Sequence, residues 1–545
     1  MFRGNLNNRM AKSNSHYTRD STRAVDWQAS VHDQSQLEIA IDYRVPRSLS
    51  SPLRPSRLPR VRLPFATESK PVFQLDVYFF TPKNLGLNSQ TYSRESFYKD
   101  LTNFVRIHTP HRSHFGSCVL PSLDDWFRLN QSKAFRPSNM GMAVQELKLF
   151  GNYVNLKIKT LFNKKFTMSS EDWKNQSFEI IGSVTALRSK YLGPSMADPA
   201  MDSELRSAIL WVDEYLSNRL EASLSQLPSE GAAEFREFLN RERIHRSKMG
   251  YLNANREATE RQLEHYYHRH GMLKKFVSEI LYLGSKEVKR DRAYRNVMAG
   301  CGAALAGLWA EIAKLDSHFA HGARDFGARF IVVAMVGVLI YVSKDRIKDV
   351  SKEYFNEKMK GFLPDFEVLL SYDFFDRLGL KKEVAVGKYQ EQVGYLSDRG
   401  LPTDVKFVRE LTKRGEVQSK VTENAIHYSK RVWIQPTIST QLEMDILTLK
   451  DIFRFNISEF LNYFDNPEKN LAIYDFEEGV IQVRAPKVYY FNIFLRLVSW
   501  GEMKNGKRVK RTQVEHLQLV LNKSGIVRID SVIPRGEHWY EDEVS

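Results

Sequence analysis

Cysteine is nearly missing from this chain: 545 residues contain two, Cys118 and Cys301. Two thiols so far apart, one of them inside an apolar stretch, exclude a disulfide-stapled scaffold and fit a reducing compartment. The compact signatures of catalysis are absent as well. The sequence has no Walker phosphate loop, no Gly-x-Ser-x-Gly elbow, no His-Glu-x-x-His and no paired Cys-x-x-Cys. A triad assembled in space needs no local motif, so the enzyme class stays open, but no residue names a reaction. The first residues lack an apolar core, which predicts no cleavable secretory signal. Acids are scarce there too, Asp20 being the first.

The shortage of acids extends to the whole chain: 65 Asp and Glu face 80 Lys and Arg, a formal charge of +15. Such an excess attracts polyanions, either nucleic acid or anionic lipid headgroups. The hydrophobic fraction of 42% and charged fraction of 27% are those of a folded chain long enough for two to four domains. A mean hydropathy of −0.43 excludes a polytopic transporter but leaves room for one or two spans.

Local patterning predicts an α+β chain with a transmembrane α-helical hairpin. Its N-terminal half and stalk read as mainly helical, and its C-terminal domain as an antiparallel β-meander. Residues 1–63 read as a basic disordered tail, with Arg44, Arg47, Arg54, Arg57, Arg60 and Arg62 among prolines and serines. Residues 71–193 read as a mixed, mainly helical domain that opens with a strand over 72–80. Helices are expected over 94–107 and 143–161. Residues 201–295 read as a helical stalk. Leu205, Ile209, Val212, Leu216 and Leu220 recur at steps of three and four, one buried face. Residues 344–545 form the last domain, with a helix over 448–464. Strands follow over 488–500, 509–521 and 526–533, joined by Asn505-Gly506 and Ser524-Gly525 turns.

The hairpin is expected over 297–342. Residues 297–313 are apolar apart from Glu311, and 326–342 apart from Arg329. Each run of 17 residues makes about 26 Å of helix, against a ~30 Å hydrocarbon core. A buried soluble hairpin is the rival reading. Lys286, Lys289, Arg290, Arg292 and Arg295 precede the pair, and Lys344, Arg346, Lys348 and Lys352 follow it. This asymmetry predicts both termini on the cytoplasmic side. The small residues Gly300, Gly302, Ala303, Gly307, Ala334 and Gly337 are expected to let the two helices pack closely. Glu311 and Arg329 are expected to pair across them.

The phrase Lys344-Asp345-Arg346-Ile347-Lys348, with Gly271-Met272-Leu273-Lys274-Lys275-Phe276 before it, resembles a bacterial membrane-protein family of unknown function. The resemblance implies a two-span topology and a bacterial inner membrane. It implies no activity.

Histidine clusters are the candidate chemistry. His108, His111 and His114 at steps of three present imidazoles that suit zinc or iron, although Arg112 among them repels a cation. His265, His268 and His270 lie in the stalk beside Arg261, Arg269, Lys274 and Lys275, a basic stripe. The leading functional expectation is a membrane-anchored scaffold or interaction protein that binds anionic lipid and a protein partner or second copy, without a cofactor. A membrane-tethered metal-dependent hydrolase is the alternative, and a nucleic-acid binder ranks behind both.

Overall fold

The computed structural model describes residues 25–46, 71–81, 90–110, 112–131, 138–163, 168–198, 201–225, 229–254 and 257–288, scattered positions of 300–350, and then 364–375, 380–396, 400–412, 424–434, 446–504, 507–532 and 539–543. Two large antiparallel sheets, a two-stranded hairpin and a bundle of helices make up the described residues.

The first sheet begins inside the expected tail. Strands β1 (Val25–Asp33) and β2 (Gln36–Pro46) pair as a hairpin. Leu37, Ile39, Ile41, Tyr43 and Val45 are buried and alternate with Glu38, the small Ala40, Asp42 and Arg44, the period-two pattern of a strand with one covered face. Asp33 closes the turn by accepting from the Ser35 amide at 2.8 Å. Helix α1 (Arg94–Asp100), capped by Ser93, ends abruptly and the chain continues as β4 (Leu101–Ile107). One helix over 94–107 is therefore corrected to a helix and a strand. The helix expected over 448–464 is likewise mostly strand, β9 (Ile446–Asn456), followed by the single turn α10 (Ser458–Leu461). These four strands lie in the order β1-β2-β9-β4.

The second sheet draws on both ends of the chain. Its members are β3 (Phe73–Thr81), β5 (Gly284–Glu287), β6 (Phe366–Phe375), β7 (Lys381–Leu396), β8 (Asn424–Ile434), β12 (Tyr489–Lys504), β13 (Lys507–Asn522), β14 (Gly525–Ser531) and β15 (Trp539–Glu543). The order is β14-β13-β12-β3-β8-β7-β6-β5, with β15 also on β13. The expected C-terminal meander is present as β12, β13 and β14. It shares a sheet with β3, so segments read as separate N- and C-terminal domains meet edge to edge.

The sheets stack through their apolar faces. Phe79 of β3 meets Phe455 at 5.0 Å, Tyr43 meets Phe73 at 4.7 Å and Tyr428 meets Phe453 at 5.3 Å. On the opposite face of β3, Tyr78 and Phe80 pack with Val405 and Val408 of helix α9 (Thr403–Thr412). Between β9 and β12 the chain leaves the sandwich as a two-stranded hairpin, β10 (Glu468–Asp475) with β11 (Gly479–Pro486).

Helices α2 (Pro121–Gln131), α3 (Ser138–Asn163), α4 (Ser170–Leu187), α5 (Gly193–Ala197), α6 (Ser203–Leu224), α7 (Ser229–Met249) and α8 (Glu260–Ser278) form the bundle. The apolar face expected of α6 is buried as read, Leu205 through Leu220. A capping box of Thr259 and Gln262 starts α8. Leu273 and Val277 bury its far end, which turns into β5 and pairs with β6. Within the described residues the stalk thus runs from helix into a sheet strand.

The membrane reading is corrected. Among the described residues, no helix is long and apolar enough to cross a membrane. Both runs fall short of the ~20 apolar residues a span needs, and each carries a charge. Two inner-membrane spans therefore have no support. Glu311, Arg329, Gly302, Ala334 and Gly337 lie outside the described residues, as do Lys289, Arg290, Arg292, Arg295, Lys348 and Lys352. Among the described residues, nothing lies within 4 Å of a Cβ added at Gly300 or Gly307. Ala303 and Arg346 are exposed and Lys344 is half-buried. Lys286 sits in β5, its ammonium 2.7 Å from Glu383 of the same sheet.

Candidate polyanion-binding site

Where the bundle meets the β4 edge of the four-stranded sheet, cations from five elements converge. Phe104 and Arg106 share a face of β4, since alternate residues point the same way. Arg106 lies directly opposite Lys450 of β9, and Phe104 opposite Ile452. From the bundle come Lys159 of α3, Arg219 of α6 and Lys274 of α8, and their charges reach the same point. Like charges directly opposite in an antiparallel pair are destabilising, so this placement opposes the fold.

Counterions decide how much positive charge is left over. Lys450 has Asp42 at 3.7 Å, and Arg454 of the same face has Glu38 at 2.7 Å. Arg219 donates to the neutral Asn155 side chain at 2.9 Å. Among the described residues, Arg106, Lys159, Arg219 and Lys274 form no ion pair with a carboxylate. Lys159 is exposed to solvent, although protein crowds around its ammonium. The protein around it, and then the charges of Arg219, Arg106, Lys274 and Lys450, push its ammonium down to about 8. Burial, followed by Arg219 and Lys274, also holds the His270 imidazole below its usual value, against the opposing pull of Glu214.

Aromatic surface borders the charge. Phe104 is 36% exposed and Tyr282 41%. Their rings meet edge to face at 6.3 Å, and Tyr282 bridges to Arg106 through the backbone. The Arg454 guanidinium lies 5.6 Å from the Phe104 centroid. Unbalanced cations beside accessible rings can hold phosphates and stack a planar base.

Other polar groups cluster in this molecule, but they satisfy one another. Arg188, in a π-helical turn (Arg188–Leu192), donates to Asp213 at 2.6 Å and to both oxygens of Glu242 at 2.6 and 2.9 Å. Ser217, His245 and Tyr251 complete that network. Burial opposes ionisation of Asp213, but His245 and Arg188 hold its carboxyl below the usual range. On the outer face of the large sheet, His427 Nε2 lies 3.3 Å from Asp76, and Arg496 spans Asp76 and Asp404 at 3.2 and 2.7 Å. Ser429 bonds the Asp76 carboxylate and not the imidazole. The order nucleophile, base, acid is therefore missing.

The expected metal ligands do not assemble. Among the described residues, no group of three His, Cys, Asp or Glu could hold a metal ion. His108 binds Asp42 at 2.9 Å, His114 is half-buried with its ring edge to face with Phe115, and His111 lies outside the described residues. His265 and His268 are exposed. Sequence reading found Lys274 as part of a basic stripe on α8 but missed Arg106, Lys159, Arg219 and Lys450. These are single cations separated by tens or hundreds of positions, and pairing of β4 with β9 brings two of them together. Comparison with protein-family models, with curated proteins and with solved structures finds no match to this chain.

Proposed function

We propose that this protein binds a phosphate-bearing polyanion, single-stranded nucleic acid foremost, where α3, α6 and α8 meet β4 and β9. The observation that carries the reading is the convergence of Arg106, Lys159, Arg219 and Lys274 without carboxylate partners among the described residues. A fold accepts such repulsion where a bound anion relieves it, and the +15 charge would steer the anion there. Phe104 and Tyr282 favour a single strand, because their faces can stack bases that a duplex keeps enclosed. The basic charge, expected from sequence to serve lipid, is thereby assigned to a different polyanion.

Fluorescence anisotropy with a labelled uridine oligomer, across a salt series, tests this. Four neutralised phosphates give a slope of log K against log salt near −3, at about −0.7 each. Arg106→Gln, Lys159→Gln or Lys274→Gln flattens the slope by about one such step. Phe104→Ala costs roughly 1–3 kcal/mol without changing the slope. Salt-independent binding, or slopes indifferent to all three cation variants, refutes the reading.

The scaffold reading retains one observation of its own. The β10–β11 hairpin projects from the sandwich with its side chains in solvent, as an interaction element would.

A further inference from the structure

Alternate residues of the β10–β11 hairpin divide into two faces. Lys469, Leu471, Ile473 and Asp475 share one of them with Gly479, Ile481, Val483 and Ala485, which pair with them across the ladder. Leu471, Ile473 and Val483 are exposed there. At the tip Phe476 is 97% exposed. The base is fixed by the Lys487 amide donating to Pro467 at 2.7 Å, by the Lys487–Asp465 ion pair and by Phe464 stacked on Tyr489 at 4.2 Å. An isolated two-stranded hairpin is marginally stable in water, so a rooted hairpin with a bare apolar face is a surface awaiting a cover.

The geometry points to a second copy of this chain as that cover. The apolar face carries two charges, Lys469 at one end of β10 and Asp475 at the other. A two-fold axis across the strand at Ala472 sets Leu471 against Ile473 of the second copy and Lys469 against its Asp475. Each arm thus supplies both halves of the same contact, the self-complementarity that a symmetric dimer requires. The face is neutral, whereas each whole chain carries +15, so this approach avoids the repulsion that most others meet. The acidic tip, with Asp475, Glu477 and Glu478 around Phe476, disfavours an anionic membrane as the occupant.

The size sets the strength. Two strands about 4.8 Å apart and eight residues long make a face of roughly 10 by 27 Å. That is well short of the ~800 Å² per partner of a standard interface, so the dimer is weak and depends on concentration.

Sedimentation of the full-length chain between about 1 and 100 µM tests this against the midpoint of dimerisation. The wild type shows a reversible monomer–dimer equilibrium, and Ile473→Asp weakens it at least roughly tenfold. Lys469→Asp or Asp475→Lys alone also weakens it, and the two together restore it, with unchanged thermal unfolding showing that the fold is intact. A chain monomeric throughout, a dimer indifferent to Ile473→Asp, or a double variant as weak as the single ones overturns the proposal.

Discussion

Replacing Lys430 by methionine keeps the length of a buried side chain and removes its charge. Lys430 is 1% exposed, on the face of β8 that looks into the sandwich. Its ammonium lies 2.8 and 3.0 Å from the two oxygens of Asp451 and 3.7 Å from Glu391, and 4.1 Å from the Tyr389 ring centroid. Glu391 also accepts from Tyr428 at 2.8 Å and from Asn103 at 2.5 Å. Burial raises the Glu391 pKa, and Lys430 is the strongest influence opposing that. Without the lysine two buried carboxylates face each other unpaired, an error that costs about 3–5 kcal/mol. An unpaired buried carboxyl has a folded pKa above its unfolded value near 4, so the folded state takes up protons. The penalty is then complete above the folded pKa and fades as pH falls toward about 4. Urea unfolding at pH 7.5 and pH 5 should therefore show a smaller deficit for Lys430→Met at the lower pH. Lys430→Met with Asp451→Leu should recover only part of the loss, because Glu391 stays buried without its cation. A deficit below about 1 kcal/mol at neutral pH, or one that grows on acidification, refutes the assignment of this cluster as a compensated buried ion set.

Three further outcomes are expected. Because the Lys159 ammonium is pushed down to about 8, oligonucleotide affinity should fall between pH 7 and 9, and Lys159→Gln should lose that dependence in the anisotropy assay. Burial pushes the His516 imidazole down to about 4, so stability is complete above its unfolded value of about 6.5 and is lost as pH falls through that interval, about 3 kcal/mol in all. His516→Phe, which keeps the stack on Phe494 at 4.3 Å, should remove this acid dependence from urea midpoints. Gly525 has φ +131° and an added Cβ would lie 2.2 Å from the Gln34 carbonyl oxygen; Gly525→Ala should therefore lower thermal stability by at least about 1–3 kcal/mol and loosen the Ile526 to Gln34 hydrogen bond of 2.7 Å.

Periodicity was a sound guide where one pattern ran without competition. The strands β3, β12, β13 and β14 and the helices α3 and α6 follow from it. It misled where two periods overlap. In 448–464, Ile452, Phe453, Ile457, Phe460 and Leu461 suit a helix, yet Leu447, Leu449, Phe453 and Phe455 alternate, and burial against Phe79 selects the strand. Over 94–107 the stripe of Phe97, Leu101 and Phe104 hides a change of period at Asp100, whose carboxylate binds Tyr92 at 2.8 Å. In 25–46 the alternation was masked by the arginines and prolines that follow it. The apolar runs near residue 300 carry the flanking charge of a membrane hairpin, but at 17 residues each they fall short of a span. The cationic cluster could not be read locally, because register, not spacing, sets Arg106 against Lys450.

Strand β3 sits inside its sheet, paired on one side with β8 and on the other with β12. The side-chain partners of Asp76 on those two strands lie 351 and 420 positions further on, at His427 and Arg496. At about 5–20 residues per second, a ribosome needs roughly 20–80 s to supply them. During that interval the strand, with Val77, Phe79 and Phe80, leaves the exit tunnel with both edges open, the condition under which nascent chains pair with the wrong neighbour. A transcript cut short before β12 would yield a polypeptide that cannot close its own sheet. For this chain the core closes only once β12 has been made, and chaperone occupancy on the nascent segment around β3 is the expected cellular signature.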